Sequence, residues 1–284
     1  MTVTFLAHSG FLVEWEHFYT LFDFYKGELP ELNKTKPLLI FASHRHEDHF
    51  DPRIFTELFP QHPDIHYYLA RDVNLTERRR GWLGITDEMF SRVTLLRSDT
   101  VFVTEAAGRT LTIRTVKSTD IGCAFLLDCE KTLVYHGGDL NWWHWTSEGK
   151  AYCSNMAASY KRAVEKLRSA VDSEVYDNGC EPVIDVAMLP LDPRLEDGFG
   201  MGIEYLLKNI EVRTVFPMHM WDKFEWIDRY CAEHPQHAGQ IMRIRHDGQQ
   251  FDLGRAQAVQ LFFSSGAYSD REDLYSLFSP YAFR

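Results

Sequence analysis

The 284 residues carry 30 basic and 41 acidic side chains, a formal net charge of −11, with 45% hydrophobic, 25% charged and 14% aromatic residues. This is ample material for a packed core, and the acidic balance speaks against nucleic-acid or anionic-membrane partners, which need positive surface to neutralise phosphates. No run approaches the roughly 18 apolar residues that span a bilayer, and the opening Met-Thr-Val-Thr-Phe lacks the regions of a secretory signal, so a soluble, cytoplasmic protein is expected.

In chain order, residues 3–6, 10–15 and 19–24 are short β-type runs. Residues 38–42 form a continuous apolar run, the pattern of a strand buried on both faces. Asp51-Pro52 then opens a helix over 52–59, with Asp as N-cap and Pro in the first helical position. Arg78, Arg79 and Arg80, the one compact basic cluster, read as a solvated helix face or turn. Strands follow at 66–69, 93–96, 110–116, 124–128 and 132–135. Ala157, Tyr160, Val164 and Leu167 recur at helical spacing and place a helix over 156–171. A strand at 183–189, a helix at 201–209, a strand at 212–216 and an amphipathic helix at 224–234 complete the pattern. No repeat or low-complexity linker divides residues 1–284, so one domain is expected, with two stacked sheets flanked by helices. Cys123, Cys129, Cys153, Cys180 and Cys231 are odd in number and lack CxxC spacing. Buried reduced thiols are expected, with Cys123 and Cys129 on one face of a strand.

The informative stretch is Ser43-His44-Arg45-His46-Glu47-Asp48-His49, which places three imidazoles and a carboxylate between a buried strand and a helix. These are ligands that suit zinc, iron or manganese, and a turn at a strand end can make them converge. A solvent-exposed histidine-rich turn is the bland alternative.

His44-Arg45-His46-Glu47-Asp48-His49 resembles the signature His-x-His-x-Asp-His of the metallo-β-lactamase superfamily. Tyr135-His136-Gly137-Gly138-Asp139 follows an apolar strand, as does the superfamily's bridging aspartate, and Pro217-Met218-His219 stands where its last metal-binding histidine does. The opening His8-Ser9-Gly10-Phe11 resembles the ascorbate-6-phosphate-lactonase-like branch. The resemblance implies an αββα four-layer sandwich, two mixed sheets flanked by helices, and a metal-dependent hydrolase. It further implies one site with His44 and His46 and a second with Asp48, His49 and His219, with Asp139 bridging both. Asp48 would also hold or deprotonate the attacking water. The implied cofactor is one or two divalent metals, zinc first, with manganese or iron as alternatives; two such ions sharing a hydroxide bring that water's pKa toward neutrality.

One departure matters. The superfamily normally supplies a third histidine to the first site, and no histidine lies between His66 and His136 here. Asp120, in Lys117-Ser118-Thr119-Asp120-Ile121-Gly122, either replaces that imidazole or is a turn residue bonding its own backbone. His136 and His144 are weaker substitutes. Trp142 and His144, directly after Asp139, are candidates to contact substrate or to pack in the core. Arg194 is a candidate to receive a phosphate or carboxylate, or to form a surface ion pair. His8 is a candidate to orient a ligand from outside the coordination shell or to touch substrate.

The expected reaction is attack by metal-bound hydroxide on an ester, lactone or phosphoester of a small molecule. The competing expectations are a non-catalytic metal-binding sensor or partner module with an impaired first site, and a nuclease. No Gly-x-Ser-x-Gly elbow, P-loop or dinucleotide fingerprint supports another chemistry, and Gly198 to Gly202 reads as a loop before a helix.

Overall fold

The computed structural model describes residues 1–173 and 182–254, so Cys180 lies outside the described residues. The first half of the chain supplies β1 (Thr2–Ala7), β2 (Gly10–Glu14), β3 (Tyr19–Phe22), β4 (Leu38–Ala42), β5 (Ile65–Ala70) and β6 (Val93–Leu96), which pair in that order. The second sheet is built from β7 (Val101–Ala106), β8 (Arg109–Lys117), β9 (Cys123–Cys129), β10 (Thr132–His136), β11 (Ile184–Pro190) and β12 (Val212–Met218). A last strand, β13 (Gln249–Asp252), returns to the first sheet beside β1. Each sheet is mixed. β1 to β3 are antiparallel and β3 to β6 parallel; β7 to β10 are antiparallel and β10 to β12 parallel.

Strand alternation decides how the layers stack. In β4, Leu39 and Phe41 enter one apolar cluster while Leu38, Ile40 and Ala42 enter another, because successive side chains leave opposite faces. The first cluster joins the facing sides of both sheets and runs on under α4 (Gly149–Asp172), α5 (Met201–Asn209) and α6 (Glu225–Glu233), through Val164, Leu167, Ile203 and Ile227. The second lies on the outer side of the first sheet, closed by Ile54 and Phe55 of α1 (Arg53–Thr56) and by the short α2 (Glu77–Trp82) and α3 (Asp87–Ser91) with their flanking residues. Helices, sheet, sheet, helices is the expected αββα sandwich. Burying each large aliphatic side chain contributes about 1.5–3 kcal/mol, so these two clusters supply the main force that joins the layers.

Element ends differ from expectation for local reasons. The helix expected over 52–59 is only α1: Asp51 Oδ1 does accept from Arg53 N at 2.8 Å, but residues 57–61 continue as turns. Helix α4 begins at Gly149, ahead of the apolar repeat that marked it. Strands β7 and β13 escape the sequence pattern because each is a half-exposed sheet edge. Arg78, Arg79 and Arg80 lie on α2, a helix with no fully buried residue. Cys123, Cys129, Cys153 and Cys231 are unpaired, and Cys123 and Cys129 are buried on β9 in the same cluster. No helix among the described residues is long and apolar enough to cross a membrane.

Candidate metal centre

The loop after β4 turns tightly, with His49 N and Phe50 N both donating to His46 O at 3.0 and 2.9 Å. That turn brings His44, His46, Asp48 and His49 to one end of the sheet. Buried Asp23, just past β3, anchors the loop: it accepts from Ser43 N at 2.7 Å, from Ser43 Oγ at 2.6 Å and from His49 Nδ1 at 2.7 Å. Since Ser43 Oγ donates to Asp23, it accepts from His44 Nδ1 at 2.9 Å. Both rings therefore turn Nε2 away from their anchor and toward the open end of the site.

The other donors come from loops at the same end. Asp139 follows β10, Asp192 follows β11, His219 follows β12, and His8 sits in the turn between β1 and β2. Carboxyl ends of parallel strands are where open α/β sheets place ligands. The Asp120 loop presses so closely on β4 that a Cβ at Gly122 would lie 2.0 Å from Ser43 O, and φ is +70° there. Only glycine fits. Asp120 does not cap its own turn; Ser118 Oγ accepts from Asp120 N at 3.2 Å, and the Asp120 carboxylate lies 3.8 Å from His46 Nδ1.

Two groups of donor atoms result, each confined within 4.8 Å: His44, His46, Asp120 and Asp139 in one, and His8, Asp48, His49 and His219 in the other. Asp139 reaches both. Its Oδ1 is 3.2 Å from His49 Nε2 and 3.4 Å from His219 Nε2, while Oδ2 is 3.5 Å from His44 Nε2. With metal–ligand bonds of about 2.1 Å, neighbouring ligand atoms stand about 3.0–3.4 Å apart. Among the described residues, His8 Nε2, His49 Nε2 and Asp139 Oδ1 are buried without a hydrogen-bond partner. Such orphans are costly unless something else satisfies them. The donor set fits divalent cations.

The electrostatics agree. Burial alone would raise the Asp139 carboxyl, but the surrounding imidazoles, His49 first, hold it well below the usual range. Burial likewise opposes ionisation of Asp48, and the contact from His8 overcomes it. His44 is pushed down to about 4, mainly by burial and then by His49, so its ring is neutral at pH 7. Burial would lower His49 too, but Asp139 and Asp23 flank it and raise it instead. Burial, then Asp139, raises Asp120.

Over these donors lies a pocket of about 310 Å³ walled by Trp143, Trp145, Tyr152, Met156, Arg194 and Trp221. Arg194 pairs through Nε and Nη2 with buried Asp192, which also accepts from His219 Nδ1 at 2.8 Å. The guanidinium lies 4.5 Å from the Trp221 ring centroid and 5.7 Å from that of Trp145. With Nε and Nη2 engaged by Asp192, Nη1 remains outside that pair.

No protein-family model matches the sequence, and no curated protein matches it. Solved structures do. Igni18, a metallo hydrolase from Ignicoccus hospitalis, aligns with a TM-score of 0.53 at 17% identity over 88% of this chain and 98% of its own. Human tRNase Z, short form, aligns at 0.50 and 12% identity over 89% of this chain and 99% of its own. CmlA, a diiron β-hydroxylase from Streptomyces venezuelae, aligns at 0.57 and 10% identity over 88% of this chain and 53% of its own. The chain has the metallo-β-lactamase fold.

On this metallo-β-lactamase fold, His44, His46, Asp48, His49, Asp120, Asp139 and His219 come together at one end of the two sheets. His8 Nε2 lies in the second group of donor atoms, 3.4 Å from Asp48 Oδ2. Two expectations need correction. Trp142 is turned away from the pocket and packs against Tyr160 and Tyr205 of α4 and α5. His144 lies beside Gly198, likewise off the pocket wall. Backbone bonds from His144 N to Trp142 O and from Trp145 N to Trp143 O fold this segment so that Trp143 and Trp145 face the pocket. His136 is a core histidine, its Nε2 2.9 Å from Ser9 O and its ring stacked on Phe22. Asp23 and Asp192 were missed as orienting carboxylates. Each had a signal, an acid at the end of an apolar strand. Tyr152, Met156 and Trp221 had none.

Proposed function

We propose that the protein is a metal-dependent hydrolase acting on an ester, lactone or phosphoester bond of a small molecule. The observation that carries this reading is Asp139, whose two oxygens face separate donor groups at the floor of one pocket. In this reading His44, His46 and Asp120 would hold one divalent ion and Asp48, His49 and His219 another, with Asp139 placed between the two donor groups. Zinc is the first choice, with manganese or iron as alternatives. Bound there, the ions would bring the pKa of an attacking water toward neutrality and polarise the scissile bond.

The chain's own residues do the rest. Asp48, partly exposed on the pocket wall and held ionised, positions the attacking water and takes its proton. His49 and His219 are fixed by Asp23 and Asp192, so the donors are in place before substrate arrives. Arg194, immobilised by Asp192, receives a negative group of the substrate through its remaining N–H groups. Trp143, Trp145 and Trp221 exclude water and favour an apolar body on the substrate. The pocket volume and the acidic chain support a small molecule over RNA.

A screen of lactones, esters and phosphodiesters with zinc or manganese present tests the reading. Turnover is expected, with a loss of about 100-fold or more in Asp48→Ala, the scale of a lost general base. Equal activity of parent and variant would sink it.

A further inference from the structure

His8 occupies a backbone state that few non-glycine residues adopt. Its φ is +54°, a region that glycine enters freely and that asparagine, aspartate and histidine enter more often than other side chains. Its backbone has a task, since His8 O accepts from His219 N at 3.0 Å, but any residue offers that carbonyl. The imidazole must account for histidine itself. The residue is 5% exposed, and Nε2 is buried with no hydrogen-bond partner. It lies 3.4 Å from Asp48 Oδ2, long for a hydrogen bond and suited to two ligands on one ion. The His8 and His219 ring centroids are 4.2 Å apart.

We propose that His8 is a protein ligand of the second metal, and that it closes that site while the first stays open. This rests on the metal-dependent reading above. With His8 the second group offers three imidazoles and Asp48, with Asp139 Oδ1 adjacent to two of the imidazoles. The first offers two imidazoles with Asp120 and Asp139. The imidazoles of the second group are all buried, whereas the His46 and Asp120 side chains of the first are 48% and 43% exposed. Structural metal sites are filled by protein donors, and reactive ones keep a position free. The second ion is therefore retained and the first exchanges and meets substrate.

The test loads the metal-free full chain with cobalt(II). Chelator competition on the parent is expected to resolve a tight and a weaker step. X-ray absorption at one equivalent should count three imidazoles on the tight ion. In His8→Asn, which tolerates the left-handed backbone, the tight step should weaken at least about tenfold, as when metal-site partners are lost, and the weaker step should hold. Two imidazoles at one equivalent in the parent overturn the proposal without any variant. A folded His8→Asn with the parent's tight step overturns it as well, and leaves the hydrolase reading standing. A parent that binds no cobalt overturns both.

Discussion

The two donor groups share one carboxylate and differ in almost everything else. His8, His49 and His219 lie in the interior, and two of them are held from behind: His49 by Asp23, His219 by Asp192. In the other group only His44 is held this way, by Ser43, while His46 and Asp120 stand at the pocket mouth. The difference teaches how one end of a sandwich can offer a rigid seat and an accessible one side by side. Burial with an orienting partner fixes a ring nitrogen; exposure leaves room for exchange.

Removing the shared residue breaks the comparison altogether. Asp139→Ala is expected to weaken both metals, dropping elemental content from about two ions per chain toward none and activity by about 1,000-fold, the scale of a lost charge-stabilising group. Chelation should act in two stages, the accessible seat emptying first. Full removal lowers the melting temperature by several degrees, since an ion at 100 times its dissociation constant stabilises by about 2.7 kcal/mol; calorimetry at stepped chelator concentration reads this. Asp192→Asn removes the carboxylate behind His219 and should weaken only the tight step, by about 10–100-fold in a competition assay. The smallest effect sharpens the comparison: Asp120→His supplies an imidazole at the mouth and should tighten the weaker step by about tenfold or less, with the tight step unchanged.

Legibility followed the range of the interactions. Strand β4 was readable because burial on both faces leaves an unbroken apolar run, whereas β7, with Val101 and Val103 in solvent, carries no such mark. His44 to His49 was readable because a single turn gathers its ligands. The Asp120 loop was found, but its distance to the cluster shows only in the fold, where the close approach of Gly122 to Ser43 sets the Asp120 carboxylate 3.8 Å from His46. Within residues 141–145 the rings that face the pocket could not be told from those that pack, because parity along an irregular segment depends on backbone bonds that residue types do not announce. The surroundings of His8 were hidden for a similar reason: its neighbours Asp48 and His219 are distant in the chain.

The backbone bond from His219 to His8 ties the opening hairpin to the end of β12. On a ribosome, β1 and β2 emerge long before β12 exists, so the deeper seat has no form while most of the chain is being made. Such distant pairings form slowly and late. A nascent chain stalled before β12 lacks His219, so if the deep seat captures an ion as proposed, that capture would mark a finished sandwich, and metal supply would not rescue one that stops early.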